Sequence, residues 1–264
     1  MKHTRMTKEI LMHDLFRFSH VAVAVFAVTV SQSVLAEPVE IQMDDGHTIV
    51  ANVQNPNNSY ASVLLMHQCN RDQTMWAPVV RKLNAAGIGT MTVDFRGYGQ
   101  SKSAAFDINA SYEKSTQLFS KDIGHIYEAW LENSKGAVTR GVGGASCGGG
   151  MAALLASQNK DIKALMLFSA ALRPYWFPEE NWKPLGSRKN LPVLGIVSID
   201  DRNAHGQKAM IATESVLGAS NSRETQFIRY NGRLHGEPLF AHDPNLSDVM
   251  ANWFVRVLKY RKGR

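Results

Sequence analysis

The chain has 264 residues, of which 44% are hydrophobic, and its formal net charge is +6. These values are typical of one ordinary globular domain. The basic residues are spread along the chain, and the one basic cluster, at 259–264, is interpreted as the solvated end of the last helix, where cations complement the helix dipole. The composition therefore gives no sign of a nucleic-acid-binding surface, and we expect no nucleic-acid partner.

The first 36 residues predict a secretory signal peptide. Basic residues at positions 2, 5, 8 and 17 precede an apolar run at 21–30, and a small-residue cleavage motif ends at Ala36. The apolar run is about ten residues long, short of the roughly 20 that span a bilayer, so we expect no permanent membrane anchor. The prediction is an exported protein, periplasmic or secreted, with one mature domain at 37–264 and a formal net charge lowered to +4 by loss of four basic and two acidic residues.

Short β-branched runs alternate with longer helical patterns in the rest of the chain, which indicates parallel β-α-β units and an α/β fold. A hairpin is predicted over 39–53, turning at Asp45-Gly46. Continuously apolar strands predict a sheet that is covered by helices on both faces. Six strands are predicted after the hairpin, at 61–67, 87–95, 137–144, 162–170, 191–199 and 225–230, with helices at 73–86, 112–134, 146–158, 205–218 and 246–260.

A glycine-rich segment, GVGGASCGGG (141–150), joins the third of those six strands to a helix. It contains a G-x-S-x-G sequence centred on Ser146, in which small neighbours allow a strained turn to expose the serine. A serine nucleophile needs a histidine to remove its proton and an acid to fix the histidine tautomer. Asp200 and Asp201 end a strand and His235 follows the last strand, so both partners have candidates in the order Ser, Asp, His.

Three upstream segments complete a pattern. They are EIQMDDGHTIVANV (40–53), VLLMHQCNRDQTMW (63–76) and VDFRGYGQS (93–101). The second and third begin within the predicted strands at 61–67 and 87–95 and continue into the loops that follow them. Together with the serine motif and its downstream partners, they resemble the α/β-hydrolase family over about residues 39–260, near the small esterases and dienelactone-hydrolase-like members. The resemblance implies an α/β-hydrolase fold with a mostly parallel central sheet and no large cap domain. It also implies hydrolysis of a small-molecule ester through an acyl-enzyme, without a cofactor.

The resemblance also implies roles for individual residues. Ser146 corresponds to the nucleophile, His235 to the general base and then acid, and Asp201 to the acid that orients the histidine. Asp201 is preferred to Asp200 because it matches the aspartate of the family's Gly-x-x-Asp, in which Ser198 stands where the glycine would be.

The oxyanion hole implied by the resemblance uses the backbone N–H groups of Cys69 and Cys147. The sequence departs from the family at Gln68, where glycine is usual, so the Gln68 side chain either donates a hydrogen bond or serves a structural turn. His67 is expected to support this loop rather than bind metal, because no second ligand lies at suitable spacing, and we expect no metal site. For the two cysteines we expect separate buried thiols rather than a disulfide.

Other interpretations remain open at this point. A shifted register makes Cys147 the nucleophile, as in dienelactone hydrolases or a thioester hydrolase. A hydrolase fold used only for binding is a further alternative, whereas a dinucleotide site is disfavoured because Ser146 occupies the last glycine of G-x-G-x-x-G. Tyr175, Trp176 and Phe177, in the insertion before the strand at 191–199, either line an acyl or aromatic pocket or pack over the sheet.

Overall fold

One sheet organises the protein, which is represented by a computed structural model. The structure describes residues 36–110, 112–174, 177, 179–202 and 208–259, and over these residues the sheet has eight strands in the order β1-β2-β4-β3-β5-β6-β7-β8. All described residues belong to the compact unit Val34–Arg264. The strands are β1 (Glu37–Gln42), β2 (Thr48–Gln54), β3 (Ala61–Met66), β4 (Ile88–Val93), β5 (Thr139–Ala145), β6 (Ile162–Phe168), β7 (Val193–Ser198) and β8 (Gln226–Tyr230).

The helices connect these strands as the sequence predicts, with two additions. The predicted helix at 205–218 begins at Ala209, residues 203–207 being outside the described part of the chain. Two short helices, α4 and α6, escaped prediction because five or six residues are too few to establish a helical period. The helices are α1 (Ala77–Ala85), α2 (Tyr112–Asn133), α3 (Cys147–Gln158), α4 (Trp182–Ser187), α5 (Ala209–Gly218), α6 (Pro238–His242) and α7 (Leu246–Leu258).

The pairing of the strands confirms a mostly parallel sheet. β1 and β2 form the predicted antiparallel hairpin, whose turn contains Gly46 at φ 80°, and β2 runs antiparallel to β4. From β4 onward, the strands β4, β3, β5, β6, β7 and β8 are parallel to one another. Since parallel strands end at one edge of a sheet, the loops after β3, β5, β6, β7 and β8 meet there.

Helices cover both faces of the sheet. Side chains alternate along β3, so that Leu64 and Met66 join a core with α2, α3 and α5, whereas Val63 and Leu65 join a second core with α1 and α7. This arrangement explains why the central strands are continuously apolar. None of the helices that the structure describes is long and apolar enough to cross a membrane. Residues 1–35 of the predicted signal peptide lie outside the described residues.

The connection between β6 and β7 is short. Its described residues form only a 3-10 turn, Glu179–Asn181, and α4, in agreement with the expected α/β-hydrolase fold without a large cap domain. The carboxyl edge of the sheet is therefore built by loops from the domain itself.

Candidate active site

Ser146 lies in a sharp turn between β5 and α3. Its backbone has φ 51° and ψ −117°, a region that residues other than glycine rarely occupy. The turn is held by the Ser146 carbonyl, which accepts hydrogen bonds from the N–H groups of Gly149 at 2.9 Å and Ala171 at 2.9 Å. The expected strained strand-to-helix turn is therefore present, and its central residue is the serine.

The two motif glycines leave room for this turn. A Cβ on Gly144 would lie 2.0 Å from the carbonyl oxygen of Gly148, and a Cβ on Gly148 would lie 2.4 Å from that of Met66. In both cases the obstacle is backbone, which cannot rotate away as a flexible side chain can. The glycines at both ends of G-x-S-x-G are thus required by the approach of β3, β5 and α3 to one another.

Gly144→Ala should destabilise the protein by more than about 3 kcal/mol, because relieving the overlap requires movement of the backbone in a packed core. Gly124→Ala is the matched control, since Gly124 lies on α2 and has nothing within 4 Å of its added Cβ. The free energy of unfolding of the control variant should rise by up to about 1 kcal/mol, because alanine has a higher helix propensity than glycine. Urea unfolding measures both, and equal stability of the two variants would contradict the packing described here.

His235 and Asp201 are in contact. His235 Nδ1 lies 2.8 Å from Asp201 Oδ1 and 3.0 Å from Oδ2. The Asp201 side chain is completely buried, whereas that of His235 is 27% exposed. Asp200, the alternative acid, is exposed to solvent. Because the carboxylate holds the proton on Nδ1, Nε2 is the ring nitrogen that remains available for proton transfer.

His67 supports the loop that follows β3. Its Nδ1–H donates to the carbonyl of Gln68 at 2.8 Å, and its Nε2 accepts the N–H of Phe95 at 2.9 Å. Complete burial lowers the pKa of His67, so the ring is neutral and both nitrogens are engaged with backbone. Within the described residues no group of three or more His, Cys, Asp or Glu side chains could hold a metal ion.

The expectation of two separate thiols is wrong, because Cys69 and Cys147 form a disulfide with a Cα–Cα distance of 5.9 Å. They are 78 residues apart in sequence, but β3 and β5 are neighbouring strands, so the loop after β3 lies beside the first turn of α3. The bridge joins the two residues whose N–H groups were assigned to the oxyanion hole. It also leaves Cys147 without a thiol, which contradicts the register with Cys147 as nucleophile.

Replacing both cysteines by alanine should lower the free energy of unfolding by about 3–4 kcal/mol, because the bridge restricts a long loop in the unfolded chain. Urea unfolding of the oxidised protein and of the Cys69→Ala/Cys147→Ala variant measures the difference. Full reduction of the wild type before unfolding is the control, and it should bring its midpoint to that of the variant. Coincident midpoints for oxidised wild type and variant would show that the bridge does not form.

Gln68 joins the loop after β3 to the loop that carries His235. Its carbonyl accepts the N–H groups of Asn70 and Arg71 at 2.9 and 3.0 Å, which makes the turn. Its side-chain Nε2 donates to Asn70 Oδ1 at 2.8 Å, and its Oε1 accepts the N–H of Glu237 at 2.9 Å. The predicted structural turn is therefore present, and the side-chain donor serves that turn. The link to Glu237 was not predicted.

The segment VDFRGYGQS (93–101) holds neighbouring loops in place through buried polar contacts. The Asp94 carboxylate accepts hydrogen bonds from the N–H groups of Gln73 at 2.7 Å and Gln100 at 2.9 Å. Arg96 is buried between Asp122 and Asp45, at 2.7 Å from each, and its hydrogen bond lowers the pKa of Asp45. These contacts tie the loops after β3 and β4 to the hairpin and α2.

Phe177 is completely buried and packs in the core with α2, α3 and α5, which supports its packing role rather than a place on an open pocket wall. Tyr175 and Trp176 lie outside the described residues, so their predicted contact with substrate stays a prediction.

Sequence reasoning missed Ser169, which directly follows β6. It has φ 45°, is completely buried, and its Oγ accepts the N–H of Gly236 at 3.0 Å. Its position at the carboxyl end of a central strand, beside the serine motif, is the signal that could have marked it.

Comparisons with known proteins agree with this architecture. The family model described as "Serine aminopeptidase, S33" matches residues 57–197. An esterase from Pyrococcus furiosus superposes with a TM-score of 0.64 at 16% identity, over 86% of this chain and 94% of its own. The esterase domain of a Rhodothermus marinus protein superposes with a TM-score of 0.62 at 16% identity, over 85% of this chain and 99% of its own. A dienelactone hydrolase from Anabaena variabilis superposes with a TM-score of 0.56 at 18% identity, over 86% of this chain and 99% of its own. No curated protein matches the sequence.

The family model covers more than half of the chain and spans β3 to β7, including the loop after β3, the serine turn and most of β7. The solved structures share the fold around these elements. The chain therefore belongs to the serine aminopeptidase S33 family of hydrolases and has the α/β-hydrolase fold.

Proposed function

We propose that the protein is a serine hydrolase that cleaves small carboxylic esters through an acyl-enzyme. The observation that carries the proposal is the strained turn at Ser146, which lies at the same sheet edge as the hydrogen-bonded pair His235 and Asp201. A backbone this unfavourable persists only where the surrounding structure enforces it, and such positions cluster at active sites.

In the proposed reaction, Ser146 Oγ attacks the ester carbonyl while His235 Nε2 takes its proton. The tetrahedral intermediate collapses, the bond to the alkoxy group breaks, and the imidazolium returns the proton to the leaving alcohol. Water then attacks the acyl-enzyme with His235 again as base, which releases the carboxylic acid and regenerates Ser146. Asp201 holds the tautomer and stabilises the imidazolium.

The N–H groups of Cys69 and Cys147 are the proposed donors to the oxyanion. One such donor contributes about 3–4 kcal/mol of transition-state stabilisation, provided that its position does not change during the reaction. The disulfide supports this role because it joins the two donor residues covalently. The bridge would then act by fixing the spacing of two backbone groups, not by redox chemistry.

Ester hydrolysis is proposed because two of the similar structures are named as esterases and because the connection between β6 and β7 is short. The test is a panel of p-nitrophenyl esters of graded acyl length, combined with labelling by a fluorophosphonate. Hydrolysis together with labelling at Ser146 supports the proposal. A folded protein that neither hydrolyses any ester nor reacts with the fluorophosphonate is a binding protein on a hydrolase fold.

We also propose that the protein is exported and cleaved after Ala36. A disulfide supports this, since disulfides persist in oxidising compartments and are rare in the cytosol. Mass spectrometry of the protein recovered from the periplasm or medium should give an N-terminus at Glu37. Recovery of uncleaved chain, reduced and in the cytosol, would contradict export.

A further inference from the structure

Two side chains from the sheet edge hold the two residues that follow His235. Ser169 Oγ accepts the N–H of Gly236 at 3.0 Å, and Gln68 Oε1 accepts the N–H of Glu237 at 2.9 Å. The two acceptors directly follow different strands, β6 and β3, which lie on opposite sides of β5 in the sheet. Consecutive backbone N–H groups are thus bound to two separate parts of the framework.

Both acceptors are buried, which makes these bonds costly to lose. Gln68 is 3% exposed and Ser169 is completely buried. A buried N–H whose acceptor is removed keeps its desolvation penalty, whereas an exposed polar pair exchanges its partner for water. A third contact of the histidine loop, the ion pair of Arg71 and Glu237, is exposed to solvent and contributes little to stability.

The local geometry is specific to these side chains. Gly236 has φ 64°, and a Cβ there would lie 1.9 Å from Gln68 Oε1, so the glutamine amide occupies the space beside the glycine. Ser169 has φ 45°, a backbone conformation that favours glycine. A glycine at position 169 would relieve this strain but would lack the hydroxyl that accepts the Gly236 N–H.

We propose that Gln68 and Ser169 are positioning residues for the general base: by holding the N–H groups of Glu237 and Gly236, they fix the His235 ring on Asp201 and relative to Ser146. The proposal rests on the proposed function of His235. This chain would therefore place the histidine loop partly through a side chain of the loop after β3, which carries a proposed oxyanion donor. A displacement of a reacting group by about 1 Å can cost about 100-fold in rate, which sets the size of the expected effect.

The test uses Gln68→Met, which keeps the length of the side chain and removes its oxygen, and Ser169→Ala, which removes the hydroxyl. Each should lower kcat for the best p-nitrophenyl ester by about 10- to 100-fold, with KM changed by less than about twofold, because substrate binding is not affected. Asn70→Ala removes the partner of Gln68 Nε2 but leaves Gln68 Oε1 for the Glu237 N–H, so this variant should keep most of the wild-type kcat.

Ser62→Ala is the matched control. The Ser62 hydroxyl is also buried and also accepts an N–H, from Trp130 Nε1 at 2.8 Å, but it lies near the start of β3, away from the site. This variant should lose stability and keep kcat. The proposal is overturned if Ser62→Ala lowers kcat as much as Ser169→Ala, or if Asn70→Ala lowers kcat as much as Gln68→Met.

A second readout does not depend on turnover. The proton on His235 Nδ1, bonded to Asp201, should give a low-field proton NMR signal that is absent from His235→Ala. In Gln68→Met and Ser169→Ala this signal should broaden or disappear, since the ring is no longer fixed, while Ser62→Ala keeps it. An unchanged signal in both positioning variants overturns the inference. Failure of the proposed function has a different signature, in which the wild type has the signal but hydrolyses no ester and is not labelled at Ser146.

Discussion

Ser146→Ala should abolish ester hydrolysis, with kcat reduced by about 10⁴- to 10⁶-fold, because the variant has no hydroxyl to form the acyl-enzyme. The substitution removes a single oxygen atom from a side chain that is 8% exposed, so the variant should fold with a thermal midpoint close to that of the wild type. Measurement of kcat on the best ester of the panel, with fluorophosphonate labelling followed by mass spectrometry, tests both statements.

Two controls separate the nucleophile from its surroundings. Ser157→Ala removes the hydroxyl of a serine within α3, which contacts the Leu154 carbonyl and Asn181 Oδ1, and should keep full activity. The Cys69→Ala/Cys147→Ala variant should still be labelled at Ser146 and resist iodoacetamide. Activity that survives in Ser146→Ala but is lost in the cysteine variant would assign the chemistry to Cys147 and contradict the disulfide-bonded site.

Asp201→Asn should lower kcat by about 10⁴-fold while leaving KM nearly unchanged. The amide can donate to the histidine, which favours the tautomer with its proton on Nε2, and that nitrogen then cannot accept the serine proton. The buried amide also cannot stabilise the imidazolium that forms in the transition state. Steady-state kinetics over the pH range in which the wild type is active provide the measurement.

Asp200→Asn is the control for this prediction, since it changes the same functional group one residue earlier at an exposed position. It should leave kcat within about threefold of the wild type, as expected for a surface charge. A large loss in Asp200→Asn with an active Asp201→Asn would mean that the loop after β7 takes a different path in solution.

Local sequence patterns predicted what depends on neighbours in the chain. The G-x-S-x-G motif located the turn at Ser146 because its glycines are required within a few residues of the serine. The apolar runs located the strands, and the order of strand ends placed Asp201 and His235 at one edge. The choice of Asp201 over Asp200 came from the spacing in the family that the sequence resembles. In the structure the Asp201 carboxylate contacts His235 Nδ1.

The features that escaped prediction are side-chain contacts between distant segments. The bridge of Cys69 and Cys147 requires knowledge that β3 and β5 are adjacent, and the bond from Gln68 to Glu237 joins residues 169 positions apart. Burial of Phe177 is likewise set by packing in three dimensions, since an aromatic residue in a loop fits a pocket or a core equally well.

The backbone of Ser146 has a consequence for how this protein responds to engineering. A non-glycine residue at φ 51° and ψ −117° costs about 1–3 kcal/mol of folding free energy, which is a large share of the 5–15 kcal/mol that separates folded from unfolded domains. Glycine at this position would recover much of that energy and remove the proposed nucleophile. Activity and thermostability therefore conflict at Ser146, and a library selected for heat resistance alone should favour inactive variants at this residue, whereas gains elsewhere in the sheet and helices carry no such trade-off.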